Sequence, residues 1–365
     1  MSDRGDGRNI NPAIGSLTGE ASEQAGPDRR ARSEGAPPFD VWTNVPGGDG
    51  QVPGGPTYYE RPVLKEPTWI WSVPAYFYAG GAAGAAATLG AAVQGLHGRE
   101  LRRLVKRCRW IAAAGAAVGG LFLVIDLGRP ARFFNMLRVF RPTSPMNLGS
   151  WVLAGTAPLA AGSAALGGVS GLLGAAGDAA GYGAGVLGLP LAGYTAVLVS
   201  NTAVPVWKGA RRALPPLFIG SAMTAATSLL QLFDLSDAER SVVKRFALAG
   251  GVLDLAGSFA IEREAGGVEE VGRPLHEGPS GALLKAAKGL TAGSLALTLW
   301  PGRGRWKSMA AGVLGTGGAL ATKFGVFHAG KASAADPRAT FRQQRAPENT
   351  STRRVADVEE ATARS

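Results

Sequence analysis

Eight apolar segments joined by polar connections make up most of the chain between residues 69 and 327. A helix needs about 20 mainly apolar residues to cross the hydrocarbon core of a bilayer, and a soluble protein has no use for so many such runs. The sequence therefore predicts an all-α, polytopic membrane helix bundle with about eight transmembrane helices. The predicted segments are Trp69–Gly95, Trp110–Leu127, Leu148–Leu173, Gly181–Val204, Leu214–Phe233, Phe246–Ile261, Leu283–Trp300 and Met309–Phe327.

Polar segments flank this apolar region on both sides. Residues 1–66 are rich in Gly, Pro, Asp, Glu and Arg, and residues 331–365 are also polar. Segments of this composition bury too little apolar surface to fold alone, so both are predicted to be disordered tails. The eight-helix transmembrane domain is predicted over residues 67–330. Because the first apolar run begins only at Trp69, we expect no signal peptide.

An even number of spans would place both tails on one membrane face, which we call side A; the opposite face is side B. Basic residues are too evenly divided between the loops of the two sides to orient the bundle. Their clustering at the ends of the apolar runs is typical of interfacial anchoring and contact with membrane lipids. The net charge of +11 is therefore not expected to signal a nucleic-acid partner. The expected location is the plasma membrane, with multiple passes.

Cysteine and histidine usage limits the cofactors that the chain is expected to hold. Cys108 is the only cysteine, which is too few for an iron–sulfur cluster or a cysteine-ligated zinc ion. The three histidines, His97, His276 and His328, are scattered, with His97 predicted on side B and His328 on side A. We therefore expect no metal site, haem or iron–sulfur cluster in this chain.

Two tyrosines and an acid are predicted at similar depths near side A. Tyr194 and Tyr76 lie within apolar segments, where a phenol hydroxyl needs a hydrogen-bond partner. Asp126 closes the second segment. Each residue also has a structural interpretation: Tyr194 can bond a neighbouring helix, Tyr76 can belong to an interfacial aromatic belt, and Asp126 can pair with Arg129.

A second set of polar residues lies in the sixth segment. Asp254 is near its middle, Ser258 follows one turn later, and Glu262 closes it on side A. Intramembrane acids are rare and are commonly functional, so these residues are candidates for a proton path. The alternative is that Glu262 simply pairs with Lys285 or Lys288.

The connection after the second segment is the most unusual stretch of the sequence. It begins Asp126-Leu-Gly-Arg-Pro and continues through Asn135-Met-Leu-Arg to Arg141-Pro-Thr-Ser-Pro-Met. Its polar residues recur at helical spacing opposite an apolar face, which is typical of an amphipathic helix at the interface or under a docked subunit. The polar face consists of Arg129, Arg132, Asn135 and Arg138.

This connection resembles the signature loop of the NrfD/PsrC family, the membrane subunits of polysulfide-reductase-like oxidoreductases. Two further stretches agree: Gly193-Tyr-Thr-Ala-Val-Leu-Val-Ser with Val204-Pro-Val-Trp, and Lys323-Phe-Gly-Val-Phe-His-Ala-Gly. The resemblance spans roughly residues 67–345 and leaves out the first tail. It implies eight helices and a quinone, expected to be menaquinone, bound near the face that carries an iron–sulfur partner.

The resemblance also suggests roles for individual residues. Tyr194, Tyr76, Arg129 and Asn135 are candidate quinone contacts, and Asp126 is a candidate proton relay. The expected partners are a ferredoxin-like iron–sulfur subunit and a molybdopterin catalytic subunit of the formate-dehydrogenase or polysulfide-reductase type. The chain would then be a subunit of an oxidoreductase rather than an enzyme by itself.

Two other functions remain open from the sequence. In the first, the chain is a transporter or ion pathway with no redox role, in which Asp254 and Glu262 carry charge. That function predicts two similar halves of the bundle, although no convincing internal repeat is visible in the sequence. In the second, it is a structural anchor of a respiratory supercomplex without a working quinone site.

Overall fold

The computed structural model describes residues 10–11, 16–17, 64–98, 100–128, 135–302 and 304–345. Residues Met1–Gly55 and Pro56–Ser365 form two separate units. In the first unit, strands β1 (Ile10–Asn11) and β2 (Ser16–Leu17) pair antiparallel. Most of both predicted disordered tails lies outside the described residues, so that part of the domain prediction stays a prediction.

The described part of the second unit is helical, and eight of its helices are long. They correspond one for one to the apolar segments predicted from the sequence. The long helices are α1 (Ser72–His97), α2 (Arg102–Leu127), α3 (Pro145–Leu166), α4 (Gly171–Ser200), α6 (Leu214–Gln231), α7 (Asp237–Ala265), α9 (Gly278–Leu299) and α10 (Arg305–Ala335). The short helices are α5 (Pro205–Gly209), α8 (Glu269–His276) and α11 (Pro337–Arg345).

Two of the long helices, α2 and α4, are long and apolar enough by composition to cross a membrane. The all-helical fold is thus confirmed for the described part of the second unit. The eight-span arrangement stays a proposal.

The long helices form two groups of four. In the first group α1 packs on α2, α2 on α3, α3 on α4, and α4 returns to α1. In the second group α6, α7, α9 and α10 follow one another around a ring in the same way. Helix α1 joins the groups, because it also contacts α6 and α10. Mostly short connections make successive helices antiparallel, as in an up-and-down bundle.

Helices α1 and α4 approach each other closely because glycines face each other at their crossing. A Cβ atom on Gly84 would lie 2.5 Å from the carbonyl oxygen of Gly188, and a Cβ on Gly188 would lie 2.5 Å from that of Gly84. Thr88 supports the contact by donating a 3.0 Å hydrogen bond from its hydroxyl to the carbonyl of Gly185. Small residues at such crossings provide close packing where lipid supplies no hydrophobic drive.

The side B end of the first group is held by Arg109, whose side chain is buried. Its guanidinium donates to Asp178 at 2.6 Å, to Gln94 at 2.8 Å and to the carbonyl of Ser163 at 3.3 Å. One residue of α2 thereby bonds the other three helices of its group. Helix α3 ends before the predicted Leu173, and a Cβ at the following Gly167 would overlap the guanidinium of Arg109, so the buried arginine requires glycine at this position.

At side A the three short helices lie together over the ends of the long helices. Helix α8 contacts α5, α11 and α10. The carboxylate of Glu264 accepts the backbone N–H groups of Arg212 at 3.2 Å and Ala213 at 2.8 Å. Arg273 pairs with Asp336 at 3.0 Å. Loops that the predicted topology assigns to side A therefore lie together, and ordered structure continues past the predicted domain end at residue 330.

Candidate functional site

Two tyrosines meet inside the first helix group. Tyr76 of α1 and Tyr194 of α4 share a hydrogen bond between their hydroxyls. Tyr76 is buried, whereas Tyr194 is partly exposed. Tyr76 lies four residues after the start of α1, which places it about 6 Å along the helix axis from the side A end. The structure thus brings together the two tyrosines that the sequence predicted at similar depths.

Glycines on the neighbouring helices make room for both rings. A Cβ atom on Gly119 of α2 would lie 3.1 Å from the Tyr76 ring, and one on Gly80 would lie 3.0 Å from it. A Cβ on Gly149 of α3 would lie 1.9 Å from Cε2 of Tyr194. The tyrosine pair is therefore fixed from two sides by backbone that carries no side chain.

Replacing Gly149 tests this packing. The Gly149→Ala change puts a methyl group where the Tyr194 ring lies, so the ring must leave its place and the bond to Tyr76 is lost. We expect the free energy of unfolding to fall by about 1–3 kcal/mol, the usual effect of overpacking. Thermal melting of the purified chain in one detergent measures the change.

The matched control for that substitution is Gly162→Ala in the same helix, where an added Cβ meets nothing within 4 Å. Its melting temperature should stay the same or rise, since alanine is the better helix former by about 1 kcal/mol. Equal melting temperatures for the two variants would contradict the packing of Tyr194 on Gly149.

Asp126 has a defined structural contact of its own. Its carboxylate accepts the backbone N–H of Ile70 at 3.2 Å, which attaches the end of α2 to the start of α1. Trp71 and Phe122 pack edge to face beside this contact, with ring centroids 5.7 Å apart. Ile70 precedes α1 whereas Tyr76 lies one turn inside it, so the structure places this acid nearer side A than Tyr76. Arg129, its predicted partner, lies outside the described residues.

The signature loop is organised by Asn147, which the sequence analysis did not single out. Its amide nitrogen donates to the carbonyls of Met136 and Val139 at 2.8 Å each, and its amide oxygen accepts the N–H of Arg141 at 2.6 Å. Asn135 is exposed, and its carbonyl accepts the N–H of Arg138 at 3.3 Å. Asn135 is therefore not brought to the tyrosine pair.

A second polar centre lies inside the other helix group. Asp254 of α7 and Lys323 of α10 are each 1% exposed. One carboxylate oxygen of Asp254 accepts the hydroxyl of Thr291 at 3.4 Å, and the other has no hydrogen-bond partner. Lys323 donates to the carbonyl of Phe218 at 3.2 Å. Lys323 was missed as a functional candidate, although a lysine inside an apolar segment is itself a signal.

Glu262 follows the structural alternative that the sequence left open. Its carboxylate pairs with Lys288 at 2.6 Å, where α7 meets α9 at the side A end. Lys288 also lies 5.0 Å from the centre of the Phe259 ring. Among the residues that the structure describes, no three His, Cys, Asp or Glu side chains group closely enough to hold a metal ion.

Two of the stretches that carry the sequence resemblance touch each other at side A. Trp207 is buried and donates from its indole nitrogen to the carbonyl of Val326 at 2.8 Å. Its ring lies directly on Gly330, where a Cβ would be 2.0 Å away. Trp69 stacks on the other side, with ring centroids 6.1 Å apart. The short helix α5 is fixed to α10 through this tryptophan.

The profile of the family described as "Polysulphide reductase, NrfD" matches residues 63–249, which is about half of the chain. The chain belongs to the NrfD family. Members of this family are membrane subunits of oxidoreductase complexes, which partner with iron–sulfur and molybdopterin subunits. A comparison with curated proteins gave no significant match.

The matched region of the NrfD family runs from the start of α1 into α7. It includes Tyr76, Asp126, Gly149 and Tyr194 and ends before Asp254. The tyrosine pair thus belongs to the part of the chain that the family shares. The buried Asp254 and Lys323 lie beyond it.

Proposed function

We propose that this NrfD protein exchanges electrons between a partner iron–sulfur subunit and a quinone bound at Tyr76 and Tyr194. The hydrogen-bonded tyrosine pair is the observation that carries the proposal. It lies near side A, it is shared by two helices, and glycines hold its rings in place. No metal is needed in this chain, because electrons would arrive from the partner.

The tyrosine pair has the donor that a quinone oxygen requires. Two phenols carry two hydroxyl protons, and their mutual bond uses only one. The second proton is free to form a hydrogen bond with a ring carbonyl, and Tyr194 is the partly exposed member of the pair. A bound quinone supplies two-electron redox chemistry that takes up two protons on reduction. The tyrosine hydroxyls would orient its headgroup and hold a proton beside it.

Asp126 is placed to connect this site with water. It lies at the side A end of α2, on the helix whose Gly119 supports the Tyr76 ring. Its carboxylate is partly exposed and accepts one backbone N–H. A carboxylate in this position can receive a proton from the direction of the tyrosine pair and release it at side A. Arg129 remains a candidate quinone contact, whereas Asn135 is exposed in the loop and is not part of the proposed site.

The partner subunit is proposed to dock on side A over the loop that Asn147 organises. Several large apolar side chains there are exposed, and Phe140 and Trp151 pack edge to face 5.9 Å apart. Exposed aromatic and apolar groups with arginines beside them are typical of a protein interface. The exposed apolar group consists of Val139, Phe140, Met146 and Trp151.

Purification of the tagged chain from native membranes in a mild detergent tests this assignment. We expect an iron–sulfur subunit with several four-cysteine motifs and a molybdopterin subunit to co-purify, together with iron and molybdenum. A variant with Phe140→Asp and Trp151→Asp should keep its fold and lose these subunits. A chain that purifies alone and free of metal in several detergents would contradict the partner assignment.

A second function, an ion pathway without redox chemistry, is favoured by a different observation. The chain has two four-helix groups with the same order of packing, as a transporter with two similar halves predicts. The second group also encloses a buried acid and a buried lysine. Purification of a metal-free chain would support this function over the first.

A further inference from the structure

The second helix group encloses two opposite charges that do not form a closed ion pair. Asp254 and Lys323 both meet the same turn of α6, since the backbone nitrogen of Asp254 lies against Gly220 and Lys323 bonds the carbonyl of Phe218, yet no salt bridge joins their side chains. Asp254 keeps one carboxylate oxygen without a hydrogen-bond partner. The ammonium of Lys323 lies 3.6 Å from the centre of the Phe218 ring and bonds the carbonyl of the same residue. The Asp254 carboxylate is therefore held by a single hydrogen bond from Thr291, and the Lys323 ammonium contacts Phe218.

A structural explanation accounts poorly for this arrangement. Burying a charge is unfavourable unless excellent geometry and further hydrogen bonds compensate for the loss of water. The ion pairs Arg107–Glu239, at 3.1 Å, and Lys288–Glu262, at 2.6 Å, show that this protein closes other buried or half-buried pairs directly. Asp254 and Lys323 lack such a contact, and a carboxylate oxygen without a partner is free to take up a proton.

Uncharged groups surround the pair on the helices packed against it. Helix α9 presents the Thr291 hydroxyl to Asp254. Helix α6 packs against Asp254 at Gly220, and its buried Ser221 and Thr224 hydroxyls have no hydrogen-bond partner. Within the described part of this group, the nearest further charges along α7 and α9 are Glu262 and Lys288. They pair with each other toward side A, about two turns from Asp254 along α7 and about one turn from Thr291 along α9. The protonation of Asp254 is therefore governed by Lys323 and by access to water.

A file of polar side chains leads from this pair toward side B. Thr291, Ser294 and Thr298 follow one another on one face of α9. Gln231 of α6 donates to Thr298 at 3.1 Å, and Thr298 donates to the carbonyl of Ser294 at 2.8 Å. The hydroxyls of Ser228 and Ser294 both lie beside Gly315, since a Cβ on that glycine would touch each of them. Ser228 therefore belongs to the same file.

The file ends in a pocket of about 150 Å³ at the side B end of the second group. Gln231 and Thr298 line its inner wall, together with Ser308, which donates to the carbonyl of Gln231 at 2.9 Å. The basic residues Arg240, Lys244 and Lys307 also line the pocket. The pocket is large enough for several water molecules, each of which needs two to four polar partners.

We propose that Asp254 and Lys323 form a proton-exchange site inside the bundle, supplied with protons from water through the file that opens at the side B pocket. A proton that arrives along the file converts the Asp254 carboxylate to a carboxylic acid. Its departure restores the carboxylate, whose charge the Lys323 ammonium balances. Ser258 lies one turn farther along α7 toward side A. This activity needs no quinone and does not rest on the proposed function.

Labelling with a hydrophobic carbodiimide tests the proposal, because the reagent reacts with protonated carboxyl groups. The full-length chain is reconstituted in lipid nanodiscs, labelled over a range of pH and mapped by peptide mass spectrometry. We expect labelling of Asp254 to increase as the pH falls. Lys323→Met should raise labelling at neutral pH, since the neutral acid becomes the stable form without the ammonium. If the labelling of Asp254 changes neither with pH nor with the Lys323→Met substitution, the proposal is wrong.

The route is tested by closing the pocket. In Ser308→Cys, a bulky thiol reagent attached at the pocket should slow the response of Asp254 to a pH jump. The parent chain treated with the same reagent is the control, since its only cysteine, Cys108, is buried. Glu239, which lies outside the file, should respond at the same rate before and after the modification. An unchanged response of Asp254 would overturn the side B route.

Folding is checked separately from proton exchange. The double variant Asp254→Asn with Lys323→Met removes both charges, so neither is left buried alone. It should melt like the parent, whereas Asp254→Asn alone leaves the ammonium without its counter-charge and should melt lower. Thr291→Val should slow protonation of Asp254, while Thr156→Val, which removes a buried hydroxyl bonded only within its own helix, should not. Equal effects of the two threonine variants would contradict a role for the file.

Discussion

Quinone-dependent turnover of the complex is expected to fall by about a hundredfold in Tyr194→Phe, a typical loss when a positioned proton donor is removed. The substitution keeps the ring on Gly149 and deletes only the hydroxyl. Tyr76 then loses its hydrogen-bond partner, and the donor on the partly exposed member of the pair is gone. Rates of quinol oxidation or quinone reduction in native membranes, normalised to the amount of complex, measure the effect.

Tyr76→Phe should have a comparable effect, because the hydroxyls act as a pair. The two changes together should cost little more than either alone, as expected for groups that form one unit. Tyr182→Phe is the matched control, since Tyr182 lies on the same helix α4 and is 44% exposed. Normal turnover in Tyr194→Phe would exclude the tyrosine pair as the quinone site and leave the helix-to-helix bond as its role.

The largest loss of stability is expected for Trp207→Ala. The change removes a buried indole that fills the space between Trp69 and Gly330 and bonds the carbonyl of Val326. Truncation of a buried tryptophan costs about 3–5 kcal/mol of unfolding free energy. For a chain of this size the melting temperature should fall by roughly 10 °C. Thermal melting in a single detergent measures the shift.

Two variants separate the causes of that loss. Trp207→Phe keeps an aromatic ring but loses the hydrogen bond, so it should be less destabilising than alanine. Trp110→Ala removes a tryptophan that is 54% exposed and should change the melting temperature little. If Trp207→Ala and Trp110→Ala melt alike, α5 is not fixed to α10 by this contact.

The positions of the helices were largely predictable, because apolar runs of about 20 residues leave few alternatives. The ends of the helices were less predictable, since they depend on local chemistry. Helix α7 begins at Asp237 because Ser236 and Glu239 form a capping box, a signal present in the sequence. Helix α3 ends at Leu166, where Gly167 and Gly168 follow, although the apolar run continues to the predicted Leu173.

The site was predictable as separate residues rather than as an arrangement. Tyr76 and Tyr194 were each recognised as phenols in apolar surroundings, but they are 118 positions apart and their bond depends on the crossing of α1 and α4. Asn147 could have been found from the Ser-Pro-Met-Asn start of α3, where Ser144 caps the helix. Lys323 was considered only as part of a family resemblance, and its approach to Asp254 depends on how α7 and α10 both pack on α6 and α9.

Photoaffinity labelling with an azidoquinone tests the central claim most directly. The complex is purified from native membranes, illuminated with the probe, and mapped by peptide mass spectrometry, with excess unmodified quinone as the competitor. We predict saturable labelling on the α1 and α4 peptides that contain Tyr76 and Tyr194, displaced by the competitor. Competitor-sensitive labelling confined to α9 and α10, or no saturable labelling of a complex that still turns over quinone, would contradict the account.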